Sequence, residues 1–220
     1  LSLKFEHLQD GCERRVYKGL DLDLRVYKRL QMFIHAEEAD RNDPALSIPD
    51  GAVTTYIRMG SDFDDNYYEY EVPLVQSRNP DAPVGDDYKN ELWRPENNVD
   101  FSLEDFTNLK IERNEAKVPT NEVYEKHVTV IINGVTVPRT YRIRGNPTLG
   151  YVRNVVIGIR NPADSEFMSP YYGEVWVNEL RLVGLEERGG VAGLARLDAD
   201  LADFGNVGLS GAYSSIGWGA

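Results

Sequence analysis

Residues 128–141, with the sequence VTVIINGVTVPRTY, indicate most clearly how this chain folds. Two segments rich in β-branched residues, 128–132 and 135–141, are separated only by Asn133 and Gly134. Both central positions of a two-residue hairpin turn require positive φ, which asparagine and glycine tolerate best. This stretch therefore predicts a tight antiparallel β-hairpin.

The same extended pattern recurs along most of the chain, while helical periodicity is scarce. It is found at residues 1–5, 20–26, 32–36, 54–59, 67–72, 152–159 and 174–182. Successive side chains of a strand point to opposite faces, so alternating apolar and polar residues give one buried and one solvated face. Turn-forming Asn, Asp, Pro and Gly separate the segments. About nine strands predict an all-β fold, an antiparallel jelly-roll-like β-sandwich of the carbohydrate-binding-module type.

Two regions interrupt the strand pattern. Residues 79–98 contain several Pro and Asp residues and are expected to form a long loop. Residues 102–106 predict one helical turn, with Ser102 as N-cap and Asp105 at the third helical position.

The last part of the chain, residues 189–220, differs in composition. Gly189 and Gly190 indicate a break, and the following residues predict one hairpin that alternates apolar residues with small and polar ones. Transmembrane β-barrel strands have this alternation and a length of about ten residues. A hairpin that belongs to the sandwich is the alternative.

Composition and charge exclude several classes of function. The formal charge is −12, which disfavours binding to nucleic acid and to anionic membranes. Because Cys12 is the single cysteine, the chain can form neither an internal disulfide nor a cysteine-based metal cluster. No apolar run reaches the roughly 18 residues of a membrane helix. The first residue is Leu1 and no leader follows, which predicts an internal fragment of a longer protein.

The acidic stretch 61–66 contains the best candidate metal ligands. Asp62, Asp64 and Asn66 have the spacing of the first oxygen ligands in a calcium loop, so a structural calcium ion is one prediction. The glycine and glutamate that would complete an EF-hand are absent. The alternative is a turn in which aspartate side chains bond the local backbone.

No arrangement of residues indicates catalysis, and the chain is predicted not to be an enzyme. Cys12 has no nucleophile motif around it, and there is no glycine-rich phosphate loop. His35 lies inside an apolar run, where a hydrogen-bonded core histidine is expected. Arginines in several strands are expected to pair with the surplus acids or to lie along strand faces: Arg58, Arg142, Arg144 and Arg181.

Four aromatic residues are candidates for a ligand or partner surface: Tyr67, Tyr68, Trp93 and Tyr171. Aromatic rings on a strand face could stack on sugar rings. Alternating tyrosines also pack against neighbouring strands, so core packing is the alternative.

Several phrases of the sequence, taken in order, resemble the SprA/Sov family, the outer-membrane translocons of the Bacteroidetes type IX secretion system. They are 27–37 (YKRLQMFIHAE), 58–63 (RMGSDF), 66–74 (NYYEYEVPL), 145–147 (GNP), 157–162 (IGIRNP), 173–182 (GEVWVNELRL) and 201–206 (LADFGN). The resemblance covers nearly the whole chain and is weakest in the loops.

The resemblance implies an internal segment of a giant outer-membrane β-barrel protein. Residues 1–184 would form a structural domain that shapes or gates the conduit or docks partners, and residues 189–220 would begin the next barrel strands. Implied partners are other segments of the same chain, secreted cargo, and outer-membrane and periplasmic components; gliding motility is an associated function. The resemblance implies no cofactor and no catalytic residue. A carbohydrate-binding or adhesion module of a surface protein is the alternative. A glycoside hydrolase is the third interpretation, and it would need two carboxylates that face each other in a cleft.

Overall fold

The computed structural model describes residues 1–40, 42–77, 86–163, 170–185, 192–200 and 206–214. The chain divides into two compact units, Leu1–Gly184 and Leu185–Ala220. The first unit contains ten of the described strands and both described α-helices, and the second contains two strands.

The strands of the first unit are β1 (Ser2–Leu8), β2 (Glu13–Leu22), β3 (Arg29–Glu38), β4 (Thr54–Gly60), β5 (Tyr67–Pro73), β6 (Val99–Ser102), β7 (Tyr124–Ile132), β8 (Val135–Arg144), β9 (Val152–Arg160) and β10 (Tyr171–Val183). Its helices are α1 (Asp86–Leu92) and α2 (Glu104–Glu115), with short 3-10 helices at Pro44–Leu46 and Pro95–Asn97.

These strands form two antiparallel sheets. The smaller sheet has the order β1-β10-β3-β6, and the larger has the order β2-β9-β4-β5-β8-β7. The first strand therefore pairs with the tenth and the second with the ninth, as in a jelly roll, while the β7–β8 hairpin adds two strands to the larger sheet. The predicted all-β, antiparallel β-sandwich is confirmed, while its jelly-roll topology stays a prediction.

The hydrophobic core lies between the two sheets. Alternate residues of the strands point into it, among them Ile34 of β3, Ile57 of β4 and Val72 of β5, all with no exposed surface. Helix α2 covers one end of this core, where the Phe106 ring stacks on Tyr68 with 4.9 Å between ring centroids. Burial of these apolar side chains provides most of the driving force for folding.

The predicted hairpin at residues 128–141 is present as β7 and β8. The strands pair from Ile132↔Val135 to Tyr124↔Ile143. Asn133 and Gly134 have φ values of 50° and 81°, the positive values that a type I′ turn requires.

The strand predicted at residues 20–26 is present only over residues 20–22. Strand β2 ends at Leu22, and the following residues turn, with Asp23 Oδ1 accepting a hydrogen bond from the Arg25 backbone N–H at 3.0 Å. Leu24 is nevertheless buried because its side chain packs in the hydrophobic core, and its backbone N–H donates to the Leu149 carbonyl. A period-2 pattern can thus arise in a turn whose apolar residue packs inward.

The predictions for residues 79–98 and 102–106 were also incomplete. Helix α1 and one 3-10 helix lie in the region expected to be a loop; residues 78–85 lie outside the described residues. Helix α2 has 12 residues rather than one turn, because Phe106, Leu109 and Arg113 give it a buried face over its whole length. The prediction of Ser102 as N-cap was wrong, since the helix begins at Glu104 with Leu103 as its N-cap and Asp105 as its second residue. Ser102 Oγ still accepts a hydrogen bond from the Glu104 N–H at 3.3 Å, one residue before the cap.

The second unit contains the hairpin predicted near the end of the chain. Its strands are β11 (Ala192–Asp200) and β12 (Asn206–Ser214), which pair from Ala192↔Ser214 to Asp200↔Asn206. Leu194, Leu209 and Tyr213 are exposed in this unit. That these strands belong to a barrel wall stays a prediction.

Candidate functional site

Charged side chains gather on the outer face of the larger sheet, the face directed away from the core. Residues at alternate positions of five strands contribute to this ionic cluster: Glu13, Arg58, Glu69, Glu71, Arg142 and Arg160. The strand register places them side by side, since Arg58 lies opposite Glu69 on β4 and β5. Glu69 in turn lies opposite Arg142 on β8.

Glu69 is at the centre of the cluster and has no exposed surface. Its Oε2 accepts a hydrogen bond from Arg58 Nε at 2.9 Å. Its Oε1 accepts from Nη1 of Arg142 at 2.9 Å and from Nη1 of Arg160 at 3.0 Å. Burial by itself raises the pKa of this carboxyl group, but the charges of Arg160 and Arg58 outweigh burial and lower the pKa below its ordinary value.

The cluster extends from Glu69 toward the surface. Glu71 accepts hydrogen bonds from Arg142 Nη1 at 2.6 Å and from Arg160. Arg160 Nη2 also donates to Glu13 Oε2 at 3.1 Å. The six residues comprise three guanidinium and three carboxylate groups, so their charges balance, and at the margin Arg58 and Arg142 also pair with Asp64 and Glu125.

Two tyrosines cover the guanidinium groups. The Cζ atom of Arg58 lies 4.1 Å from the ring centroid of Tyr67, and that of Arg160 lies 4.4 Å from the ring of Tyr56, so both are cation–π contacts. Burial raises the pKa of the Tyr56 hydroxyl. Gly158 makes room for this ring, since a Cβ there would lie 2.2 Å from Tyr56 Cζ. The tyrosines thus keep water away from the ion pairs.

The candidate calcium ligands are engaged within their own loop. Asp62 Oδ1 accepts hydrogen bonds from the backbone N–H groups of Asp64, Asp65 and Asn66 at 3.2, 2.7 and 2.8 Å. Its Oδ2 accepts from the side-chain amide of Asn66 at 2.8 Å. These bonds to the charged form outweigh partial burial and lower the pKa of Asp62.

Asp64 points instead to two arginines. It lies 2.7 Å from Arg15 Nη1 and 3.3 Å from Arg58 Nη1, and the hydrogen bond from Arg15 is the main reason why its pKa is lowered. Among the residues that the structure describes, no group of three or more His, Cys, Asp or Glu side chains is arranged to hold a metal ion. The structure therefore shows a turn that bonds its own backbone, and a calcium ion at Asp62, Asp64 and Asn66 stays a prediction.

Three of the four aromatic candidates for a ligand surface are buried. Tyr67, Tyr68 and Tyr171 are at most 5% exposed, so the prediction that they form a surface platform was wrong. Tyr67 faces the ionic cluster, while Tyr68 points into the core and its hydroxyl donates to the Pro147 carbonyl at 3.1 Å. Burial raises the pKa of Tyr68 to about 12. Trp93 is half-buried.

His35 is a buried histidine, as its apolar neighbours indicated. Its Nδ1 lies 2.7 Å from the Leu92 carbonyl oxygen, and its Nε2 lies 3.4 Å from Glu37 Oε2. Its ring lies between two tryptophans, with centroids 5.7 Å from Trp93 and 5.0 Å from Trp176. These contacts anchor the segment after α1 on the outer face of the smaller sheet.

Sequence reasoning identified part of the ionic cluster. Arg58 and Arg142 were expected to pair with acids and do so, as do Arg144 with Asp65 at 3.3 Å and Arg181 with Glu179. The central Glu69 was missed. The sequence feature that could have indicated Glu69 is the alternation Tyr-Tyr-Glu-Tyr-Glu at residues 67–71. This alternation assigns the two glutamates to one face of the strand but does not show that this face is buried.

Among the described residues, no helix has the length and apolar character needed to cross a membrane. A comparison with protein families finds one family model, described as a motility related/secretion protein, that matches residues 1–220. No curated protein matches the sequence.

Proposed function

Because this chain belongs to the SprA_N family of motility related/secretion proteins, we propose that it is a non-catalytic structural domain of an outer-membrane protein-secretion translocon. The match over the whole chain is the observation that carries this proposal. The translocon is that of type IX secretion, which also serves gliding motility. A secretion-related family also favours a location in the cell envelope, and we place the domain at the outer membrane.

The ionic cluster supports a mechanical role rather than a chemical one. Each carboxylate of the cluster accepts hydrogen bonds from a guanidinium group, so none is positioned to attack a substrate or to transfer a proton. The ion pairs connect five neighbouring strands of the larger sheet. A sheet whose strands are connected in this way is expected to be rigid, as a domain that shapes or gates a conduit needs to be.

In this proposal the sandwich contacts other segments of the same giant chain, and the β11–β12 hairpin continues into the barrel. Secreted cargo and the outer-membrane and periplasmic components of the translocon are the other partners. The net charge of −12 is consistent with a hydrated surface that does not bind nucleic acid.

The test is deletion of residues 1–184 from the full-length protein, with a flexible linker in their place. We expect secreted cargo and gliding to be lost while the protein still reaches the outer membrane in folded form. A matched control carries Tyr17→Ala, which alters an exposed side chain of β2. Normal secretion by the deletion variant would contradict the proposal.

A second candidate function, carbohydrate binding or adhesion, is favoured by one observation. Trp93 and Phe33 line a cavity of about 420 Å³ together with three amide side chains, those of Asn90, Asn98 and Asn178. Amides both donate and accept hydrogen bonds, as sugar hydroxyls do. Binding of oligosaccharides that Trp93→Ala removes, but that Tyr17→Ala leaves intact, would support this function.

A further inference from the structure

The two sheets of the sandwich end in four edge strands, and three of these carry features that protect an edge. Exposed edges can pair with other chains, and proteins limit this with short strands, bulges and charges. Strand β6 has only four residues. Strand β1 has an irregular register between Phe5 and Leu8, with His7 at a φ of 55°. Strand β2 carries a series of charged residues: Glu13, Arg14, Arg15 and Lys18.

The fourth edge strand, β7, lacks these features over its second half. Residues 128–132, VTVII, contain no charge, glycine or proline. Ile131 is 76% exposed. Among the strands that the structure describes, only β8 pairs with β7. A long apolar edge of this kind is a site where another strand can be added.

The turn identifies which backbone groups point outward. A two-residue turn closes on a hydrogen-bonded pair, here Ile132↔Val135, and hydrogen-bonded and non-hydrogen-bonded pairs then alternate along the ladder. Thr129 and Ile131 therefore belong to non-hydrogen-bonded pairs and direct their N–H and C=O groups to the free edge. Pro138, which lies opposite Thr129, agrees with this assignment because proline has no N–H to donate to β7.

A furrow runs along the inner side of β7, because the larger sheet projects two strands beyond the smaller one. It consists of two cavities, of about 510 and 380 Å³, which share Val130. The first lies between α2 and β7, with Leu109 and Val128 in its lining. The second continues along β7 to Ile132. Peptide grooves between a strand edge and a helix are a recurring way to bind extended chains.

The charged groups of the furrow differ between its two ends. Asp105 and Glu112 face one lysine, Lys126, in the first cavity, which gives a net charge of −1. In the second, Arg29 and Arg139 face one carboxylate, Asp100, which gives +1.

Arg139 provides the surplus positive charge of the second cavity. It is buried, and its guanidinium donates to the carbonyl oxygens of Pro138 at 2.8 Å and Glu96 at 2.6 Å. These acceptors are neutral, so the charge of Arg139 is offset only in part, by the more distant carboxylate of Glu96. An occupant is therefore favoured if its acidic end lies beside Ile132 and its basic end beside Lys126.

We propose that β7 accepts an extended segment of a different polypeptide as a seventh strand of the larger sheet, antiparallel to β7. Its central residues are uncharged, with apolar side chains at the alternate positions that face the furrow. An acidic residue precedes this centre and a basic residue follows it. A second copy of β7 fits less well, since Glu125 and Lys126 both lie at its beginning and its end carries no charge.

The test uses the whole 220-residue chain and a labelled peptide, Asp-Thr-Val-Thr-Val-Thr-Lys, acetylated and amidated at its ends. Its Asp, Val and Lys side chains share one face, the face directed into the furrow. We expect saturable binding by fluorescence anisotropy, weakened about fivefold or more when the two charged residues are exchanged. Binding should also slow amide hydrogen exchange at Thr129 and Ile131. No binding, or equal affinity for both peptides, would overturn the proposal.

Two proline variants provide the matched comparison. Thr129→Pro removes an outward N–H that β8 does not use, and it should abolish binding. Thr136→Pro places proline in another non-hydrogen-bonded pair, but on β8 rather than at the edge, and it should bind normally. Circular dichroism establishes that both variants fold. Equal binding of the peptide by the two folded variants would refute the proposal. A concentration-dependent dimer that only Thr129→Pro removes would also refute it, because the occupant of the edge would then be a second copy of this chain.

Discussion

Glu69 shows how a charged residue can be placed where no water reaches it. Removing a carboxylate from water costs several kcal/mol, and the attraction of a cation repays this only when the geometry is good and the remaining lone pairs are used. Arg58, Arg142 and Arg160 satisfy both conditions, since they approach both carboxylate oxygens. The side chain is therefore stable only as part of the cluster.

We expect Glu69→Gln to lower the free energy of unfolding by about 3–5 kcal/mol, because the buried Arg58 and the partly buried Arg142 and Arg160 would lose their shared counter-charge. Glu125→Gln is the matched control. Glu125 pairs with the same Arg142 at 2.9 Å, but its side chain is 45% exposed, so the change should cost less than about 1 kcal/mol. Urea denaturation measures both variants, and similar losses would contradict the central role of Glu69.

The stability of the domain should fall in acid. The pKa of Glu69 is lowered below its ordinary value of 4.5, and the pKa values of Asp62 and Asp64 are lowered as well. Between the unfolded and folded pKa values the unfolded chain binds more protons, so the free energy of unfolding decreases as the pH falls below about 4.5. Denaturation across this range should show a shallower decrease for Glu69→Gln. Identical slopes would assign the acid sensitivity to other groups.

Gly158 is required for its small size rather than for its backbone conformation. A Cβ there would overlap the ring of Tyr56, so Gly158→Ala should cost about 1–3 kcal/mol. A Cβ at Gly19, on the adjacent strand β2, would meet no atom within 4 Å. Gly19→Ala should therefore leave the free energy of unfolding nearly unchanged. Thermal unfolding of the two alanine variants compares them directly, and equal midpoints would show that Tyr56 moves aside without cost.

At the scale of elements, helix α2 joins the core through one face. Phe106 has no exposed surface and packs against Tyr68 and Phe101, whose ring centroids lie 4.9 and 5.0 Å away. We expect Phe106→Ala to cost about 3–5 kcal/mol. Ile111→Ala, at a half-exposed position of the same helix, should cost far less. Chemical denaturation tests the difference, and a mild effect of Phe106→Ala would mean that α2 is dispensable for the core.

The strands could be predicted from the sequence because alternation records which side chains point inward. The turn at Asn133 and Gly134 could also be predicted, since few residues accept positive φ at both positions. Helix α2 was underestimated because its buried face includes Arg113, whose guanidinium donates to the Gly145 carbonyl. A charged residue in a buried position breaks the apolar periodicity on which a helix prediction depends.

The ionic cluster could be predicted only in part for a related reason. Every residue from Tyr67 to Val72 is buried, so β5 has no solvated face to distinguish from its core face. The sequence assigns Glu69 and Glu71 to the same side of the strand, but their burial depends on tyrosines from β4 and β5 that cover them. Which strands are neighbours is information that the local pattern does not contain.

At the scale of the whole molecule, the first unit has a core of its own. The buried apolar residues that form this core extend from Phe5 to Val177, all within Leu1–Gly184. We expect a chain that ends at Gly184 to unfold with the same midpoint as the 220-residue chain, because its core is complete. Differential scanning calorimetry measures both chains. A large decrease would show that Leu185–Ala220 supports the sandwich.

The pairing of β1 with β10 determines when this domain can finish folding. Ser2 lies opposite Trp176, so the two ends of the sandwich meet across nearly the whole length of the chain. Contacts between residues so distant in sequence require closure of a long loop and give a fold of high contact order, which slows folding. A polypeptide that emerges from its N-terminus onward therefore stays incomplete until β10 arrives. The smaller sheet can therefore be completed only after nearly all of the domain has been synthesised.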